Sequence, residues 1–293
     1  MSKEPRRVEL VFDPQPVVEG AGVKLKRSIG LASLNYLDPF LLLDHFGSTD
    51  AADYKAGFPL HPHRGIETVT YLLKGEVRHR DTMGNSGSIG PGDVQWMTAA
   101  GGLMHEEMPQ VRPEGIDGFQ LWVNLPAKLK MTRPRYQNIG AAQIPEVKAE
   151  GGATVRVIAG KVNSVEGAVS GIAADPTYLD VALPAGKTFT HDIQRGHTAF
   201  AYVYEGAPTF DAADGDAGET VEALALVVFG DGDFVRVNAG ESSVRFLLVS
   251  GAPLNEQIAR YGPFVMNTRE EIQQALRDLQ EGTFVWSDGP SIN

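Results

Sequence analysis

The sequence predicts an all-β chain of two consecutive antiparallel β-barrels of one design, followed by a short C-terminal helix. Turn formers are abundant, with Gly 33 and Pro 18 in 293 residues, which suits short strands better than long helices. Short runs alternate apolar and polar residues, the signature of half-buried strands. The pattern also repeats. Arg64-Gly65 opens a run ending at Gly75, and Arg195-Gly196 opens one ending at Gly206, an offset of 131 residues. That offset superposes Val69, Tyr71 and Leu73 on Phe200, Tyr202 and Tyr204. A second match sets Gly92-Asp93 on Gly232-Asp233 at an offset of 140 residues, and two such units imply two barrels.

Taken in order, 8–12 reads as a first strand and 23–30 as a half-buried second. Asp38-Pro39 marks a turn, because the residue before a proline is pushed out of helical geometry. Residues 40–43 are wholly apolar and read as a buried strand, 44–47 as its exit, and 48–57 as a polar loop. Residues 67–75 alternate, with Val69, Tyr71 and Leu73 on one face; counting back by twos puts Glu67, His63 and His61 on that face. Gly90-Pro91-Gly92-Asp93 reverses the chain before a strand at 94–97, residues 99–102 allow a bend, and 119–125 alternates again. Pro126, Pro134 and Pro145 make 126–150 a connector, so the expected domains are 1–135 and 136–293. In the tail, Thr268 and Glu271 have capping-box spacing. Ile272, Ala275, Leu276 and Leu279 form an apolar helical stripe that stops at Gly282.

Composition narrows the functional classes. The formal charge of −11 argues against direct binding of nucleic acid or an anionic membrane, whose phosphates require a basic face. Cysteine is absent, which excludes disulfides, thiolate metal sites and thiol catalysis and leaves His with Asp or Glu as metal ligands. No apolar run is long enough to span a bilayer, and the first residues lack the apolar core of a targeting signal. The expectation is a cytoplasmic protein. The acidic stretch around Asp214-Gly215-Asp216 lacks the ligand rhythm of a calcium loop and reads as a solvated hairpin.

The chemistry concentrates in two segments. His61 and His63 are two residues apart, as are His105 and Glu107, so on extended backbone each pair points to one side. Three imidazoles and a carboxylate converging from two strands would hold a divalent transition metal with positions left open. Under the two offsets these residues fall on Asp192, Gln194, Arg245 and Leu247, so metal is expected in the first barrel only. Glu67 reads as a support for the site or a partner of Arg64, His79 as a solvated strand residue, and His45, His191 and His197 as structural. Phe58, Trp96, Met97 and Met108 are candidates for a pocket that accepts an aromatic molecule.

Residues 58–68, from Phe58-Pro59-Leu60-His61 to Glu67-Thr68, closely resemble the pirin family. So do Gly92-Asp93-Val94-Gln95-Trp96-Met97, His105-Glu106-Glu107-Met108-Pro109, Gln120-Leu121-Trp122-Val123-Asn124-Leu125 and Gly262-Pro263-Phe264-Val265-Met266-Asn267-Thr268. The resemblance spans most of the chain and implies a bicupin, two barrels of jelly-roll type. It implies iron, as Fe2+, held by His61, His63, His105 and Glu107; the donor set also accepts nickel, cobalt, copper, manganese and zinc. It implies dioxygenolytic cleavage of flavonols such as quercetin, with a small aromatic substrate and dioxygen as reactants; Glu107, the only acidic residue of the set, is then the best candidate to take the proton of the substrate hydroxyl. Because family members also act as transcriptional co-regulators, the competing expectation is a non-catalytic, redox-responsive iron protein acting through a protein partner. A zinc-dependent sugar-phosphate isomerase of cupin type ranks last, since no lysine cluster accompanies the ligands.

Overall fold

The computed structural model describes residues 3–211 and 218–286, which group into two compact units. The first contains residues 15–141 together with the segment from 254 onward, and the second contains residues up to 14 together with 142–253. The domain expectation divided the chain contiguously at 135/136; by packing, the two ends cross that boundary in opposite directions. Val8–Phe12 is antiparallel to Ala225–Phe229 in the second unit, while the C-terminal segment carries the helix to the first.

Each unit has a seven-stranded and a four-stranded sheet. In the first, the large sheet runs Arg135–Ile139, Val94–Thr98, Ile66–Lys74, Ile116–Asn124, Phe40–Ser48, Val23–Ile29, Gln15–Glu19. The small sheet runs Phe58–His63, Leu103–Gln110, Glu76–Asp81, Ser86–Ile89. In the second unit the large sheet runs Val8–Phe12, Ala225–Phe229, Thr198–Glu205, Val244–Gly251, Thr177–Leu183, Thr154–Ala159, Glu146–Lys148. Its small sheet runs Thr188–Asp192, Phe234–Ala239, Pro208–Phe210, Glu219–Thr220. The two orders correspond strand for strand. Gly75 and Gly206 end equivalent strands with φ of 84° and 77°, left-handed turns that glycine adopts without strain.

Topology upholds the first offset and overturns the second. Gly92 precedes Val94–Thr98, whereas Gly232 precedes Phe234–Ala239, the equivalent of Leu103–Gln110. Arg245 and Leu247 lie on the equivalent of Ile116–Asn124 and are not counterparts of His105 and Glu107. Glycine-aspartate turns recur between strands, so that short match selected the wrong hairpin.

Several elements differ from expectation, among them Glu146–Lys148, a strand inside the expected connector. Residues 44–47 continue the strand Phe40–Ser48, because Arg27 neutralises Asp44 with two 2.8 Å bonds and His45 binds Asp117 at 2.8 Å. Arg135–Ile139, inside the expected connector, is an edge strand on Val94–Thr98, and its polar composition hides it from a hydrophobic pattern. Gln15–Glu19 pairs with Val23–Ile29. Asp214-Gly215-Asp216 lies outside the described residues.

The tail fixes the site's backbone. Thr268 and Glu271 form the expected capping box on the helix Arg269–Glu281, which ends at Gly282 with φ 74°. Ile272 and Ala275 bury against Phe264, Met266 and Phe284. Arg64, directly after His63, binds Asp278 at 2.6 Å and lies 4.4 Å from the centre of the Phe284 ring. Buried Lys130 donates to the carbonyls of Gly65 at 2.8 Å and Val265 at 2.9 Å and to Asn124 Oδ1 at 2.6 Å. Gly65 has φ of 81°, and a Cβ there would lie 1.9 Å from the Val265 carbonyl, so glycine is required. The end of the histidine strand is therefore clamped by the C-terminal segment.

Candidate metal centre

His61 and His63 occupy Phe58–His63, and His105 and Glu107 occupy the adjacent antiparallel Leu103–Gln110, where His105 stands opposite His61. The potential ligand nitrogens of His61, His63 and His105 all lie within 4.8 Å of one another. A break in register between His105 and Glu107 brings Glu107 opposite Phe58. Glu107 Oε2 is 3.9 Å from His105 Nε2. The three predicted imidazoles form one cluster, and Glu107 lies beside it.

The electrostatics favour neutral imidazoles at His63 and His105. A carbonyl only accepts, so His61 Nδ1–H donates to the Pro59 oxygen at 2.9 Å and leaves its lone pair on Nε2. That Nε2 is 3.0 Å from His63 Nε2. Burial, then the neighbouring imidazoles, hold the pKa values of His63 and His105 well below the ordinary value. Both ring nitrogens of His105 are buried without a hydrogen-bond partner, a costly arrangement that a cation would relieve. Burial raises the Glu107 pKa, against the opposing influence of His61 and a bond from Thr70. This donor set fits a divalent metal ion.

Thr70 Oγ1 lies 3.1 Å from Glu107 Oε1 and 2.7 Å from the side-chain oxygen position of Gln120. One hydroxyl proton cannot serve two acceptors at full strength. Turning the Gln120 amide gives a consistent chain in which Gln120 donates to Thr70 and Thr70 donates to Glu107. Thr70 and Gln120 were missed because counting by twos across Arg64-Gly65 assumed one continuous strand. Gly65 breaks it, His61 and His63 belong to the small sheet, and the opposite face of Ile66–Lys74 meets the site.

Glu67 is consequently elsewhere. Its Oε1 accepts from Thr98 at 2.7 Å, and burial pushes its pKa up to about 7. Arg64 is paired with Asp278 instead. His79 is buried, not solvated; it stands opposite Glu107 and stacks on Tyr136 at 6.2 Å. Of the expected pocket residues, Phe58 lines the cavity beside the histidines, whereas Trp96 and Met97 are fully buried elsewhere and Met108 is not part of the lining. The aromatic wall is completed by Trp122, 5.2 Å from His63. His45 has the structural role expected, bonded to Asp117 and stacked on Phe119 at 4.7 Å.

The cavity measures about 590 Å³ and is lined by His61, His63, Glu107 and Thr70, with His105 behind them, together with mainly apolar side chains, including Leu25, Leu42, Phe46 and Val77. Three imidazoles clustered in the hollow of the first of two equivalent β units define a bicupin with a candidate metal centre. Comparison with known families gives the narrower placement: the Pirin family matches residues 22–123 and the Pirin C-terminal cupin domain matches 178–285. The chain belongs to the pirin family. It is 46% identical to a pirin-like protein of Caulobacter vibrioides, covering 95% of this chain and 99% of the relative. It is 43% identical to human pirin, covering 89% and 88%. The crystal structure of quercetin 2,3-dioxygenase from Acinetobacter baumannii superposes with a TM-score of 0.84 at 36% identity, covering 96% and 98%. Among the described residues no helix is long and apolar enough to cross a membrane.

Proposed function

We propose that the centre holds ferrous iron and that the protein is a dioxygenase cleaving flavonols such as quercetin. The observation that carries this reading is a cluster of three imidazoles, two of which, His61 and His63, line a mainly apolar cavity of about 590 Å³, within the range of small-molecule sites. His61, His63, His105 and Glu107 would hold the ion. Nickel, cobalt, copper, manganese and zinc suit the same donors, so the metal's identity rests on family likeness more than on geometry. When bound, a divalent ion supplies Lewis acidity to a hydroxyl brought against it.

Glu107 takes the proton of the flavonol 3-hydroxyl. Burial raises its basicity, and Thr70 holds Oε1 so that the carboxylate keeps one orientation. Phe58 and Trp122 confine the ring system and exclude water. Both atoms of dioxygen enter the opened ring, and one ring carbon leaves as carbon monoxide. The likeness to the Acinetobacter enzyme supports this reading.

The test is incubation of iron-loaded protein with quercetin, with and without dioxygen. The expected result is loss of flavonol absorbance and release of carbon monoxide only when dioxygen is present. Glu107→Gln is expected to slow turnover by about 10²–10⁴-fold. Loss of flavonol without dioxygen, or an unchanged rate in Glu107→Gln, contradicts the scheme. No turnover, combined with a protein partner whose affinity differs between ferrous and ferric forms, would put the regulatory reading in its place.

A further inference from the structure

The cavity has a polar wall that the proposed reaction does not use. Two arginines line it, Arg27 and Arg260, together with the carboxylates of Glu19 and Asp44. Arg27 is fully engaged. Its Nε and Nη2 bind the two oxygens of Asp44 at 2.8 Å each, and its Nη1 binds Glu19 at 2.8 Å. Arg260 is engaged differently. Its Nη1 donates to the Leu41 carbonyl at 3.1 Å, and its guanidinium carbon lies 5.1 Å from the centre of the Trp122 ring.

A guanidinium carries five N–H donors in a rigid fork, and stacking on an indole fixes the plane of that fork. With one donor committed to Leu41, the remaining N–H groups of Arg260 are available at the cavity wall. Two arginines and two carboxylates sum to no net charge, so the recognition is directional hydrogen bonding to oxygen, not bulk attraction of an anion. The indole that fixes Arg260 also contacts His63, at 5.2 Å. A planar molecule against Trp122 would therefore meet the imidazoles with one oxygen and Arg260 with another.

We infer that Arg260 is a specificity-determining residue, selecting planar aromatic ligands that carry a further ring hydroxyl besides the adjacent hydroxyl and oxo groups presented to the histidines. The inference rests on the proposed function for the ligand's orientation. It also assigns a role to the C-terminal segment, which brings Arg260 back to the first unit. Arg260 is a binding residue and takes no part in the proton transfer.

The test compares quercetin with 3-hydroxyflavone, which keeps the 3-hydroxyl and lacks the ring hydroxyls. Affinities are measured anaerobically on iron-loaded protein by quenching of tryptophan fluorescence, and KM and kcat aerobically. Arg260→Gln is expected to weaken quercetin binding and raise its KM by about tenfold, the effect of losing one hydrogen bond to a charged donor. Binding of 3-hydroxyflavone should stay within about twofold, with kcat for either ligand nearly unchanged. Arg260→Lys keeps the charge but not the fork and should fall between. If Arg260→Gln fails to fold, the quercetin to 3-hydroxyflavone affinity ratio in Arg260→Lys decides. An unchanged ratio, an equal loss for both ligands, or no binding of quercetin to the unmodified protein overturns the inference. Discrimination that depends on Arg260 without aerobic turnover would leave the subsite standing and reject the dioxygenase reading. Turnover without such discrimination would do the reverse.

Discussion

Where the first unit carries His61 and His63, the second carries Asp192 and Gln194, and the exchange continues through the interior. Val237 stands opposite Phe189 as Glu107 stands opposite Phe58. Val235 and Val237 are buried on the strand equivalent to the one bearing His105 and Glu107. At the same offset, Thr70 and His79 are replaced by Ala201 and Phe210, and Leu248 pairs with Ala201 as Gln120 pairs with Thr70. The second interior is a continuous apolar core containing Phe189, Phe210 and Phe246, with the Phe246 ring centre 6.1 Å from that of Phe189 and 6.3 Å from that of Phe210. One strand order thus supports either a polar-lined hollow or a filled core. The backbone ladders hold the sheet in both, and the side chains decide the chemistry. A buried polar group is costly without a partner, and the first unit's polar set combines mutual hydrogen bonds with a cluster of imidazoles that fits a metal ion.

The comparison breaks most visibly at His105. His105→Ala removes a central member of the proposed ligand set and should abolish metal retention and flavonol turnover, read by metal analysis and an oxygen-uptake assay. Retained metal with retained activity would mean the ligands lie elsewhere. The next effect is on the tail, which braces the first unit. Asp278→Ala leaves the buried Arg64 cation uncompensated and should destabilise the protein by about 3 kcal/mol in urea unfolding, near the lower end for a broken buried pair because Asp278 keeps some exposure.

Glu67 gives the first unit a pH dependence. Its folded pKa of about 7 lies above the ordinary 4.5, so the folded state holds its proton more tightly. Stability is therefore expected to fall as pH rises from 4.5 towards 7, by an amount on the order of 3 kcal/mol from this group. Glu67→Gln should flatten that slope in unfolding curves collected at pH 5 and pH 8; an unchanged slope would assign it to another group. The smallest effect belongs to the second unit. Asp192 occupies the place of His61 but is 64% exposed and pairs with Lys3 at 2.5 Å, so Asp192→Ala should leave metal content, turnover and melting temperature unchanged.

Much of the candidate site was legible in sequence because its residues are local pairs. His61 with His63, and His105 with Glu107, each need only an extended backbone to share a face. The helix was legible for the same reason, since capping box, apolar stripe and terminal glycine all lie within one short stretch. What was hidden depended on sheet-to-sheet geometry. The break at Gly65 reversed the face of Ile66–Lys74 and brought Thr70, not Glu67, to the carboxylate. Arg135–Ile139 escaped notice because an edge strand need not alternate. Trp122 and Arg260 meet through residues far apart in the chain, a contact no local pattern records.

The central claim is that the first unit alone holds the metal, on three imidazoles and Glu107. Metal content per chain tests it directly, measured by elemental analysis after loading with ferrous iron and removal of excess. The account predicts one equivalent in the unmodified protein and none in His63→Ala/His105→Ala. Two equivalents, or one equivalent surviving in that double variant, would contradict it.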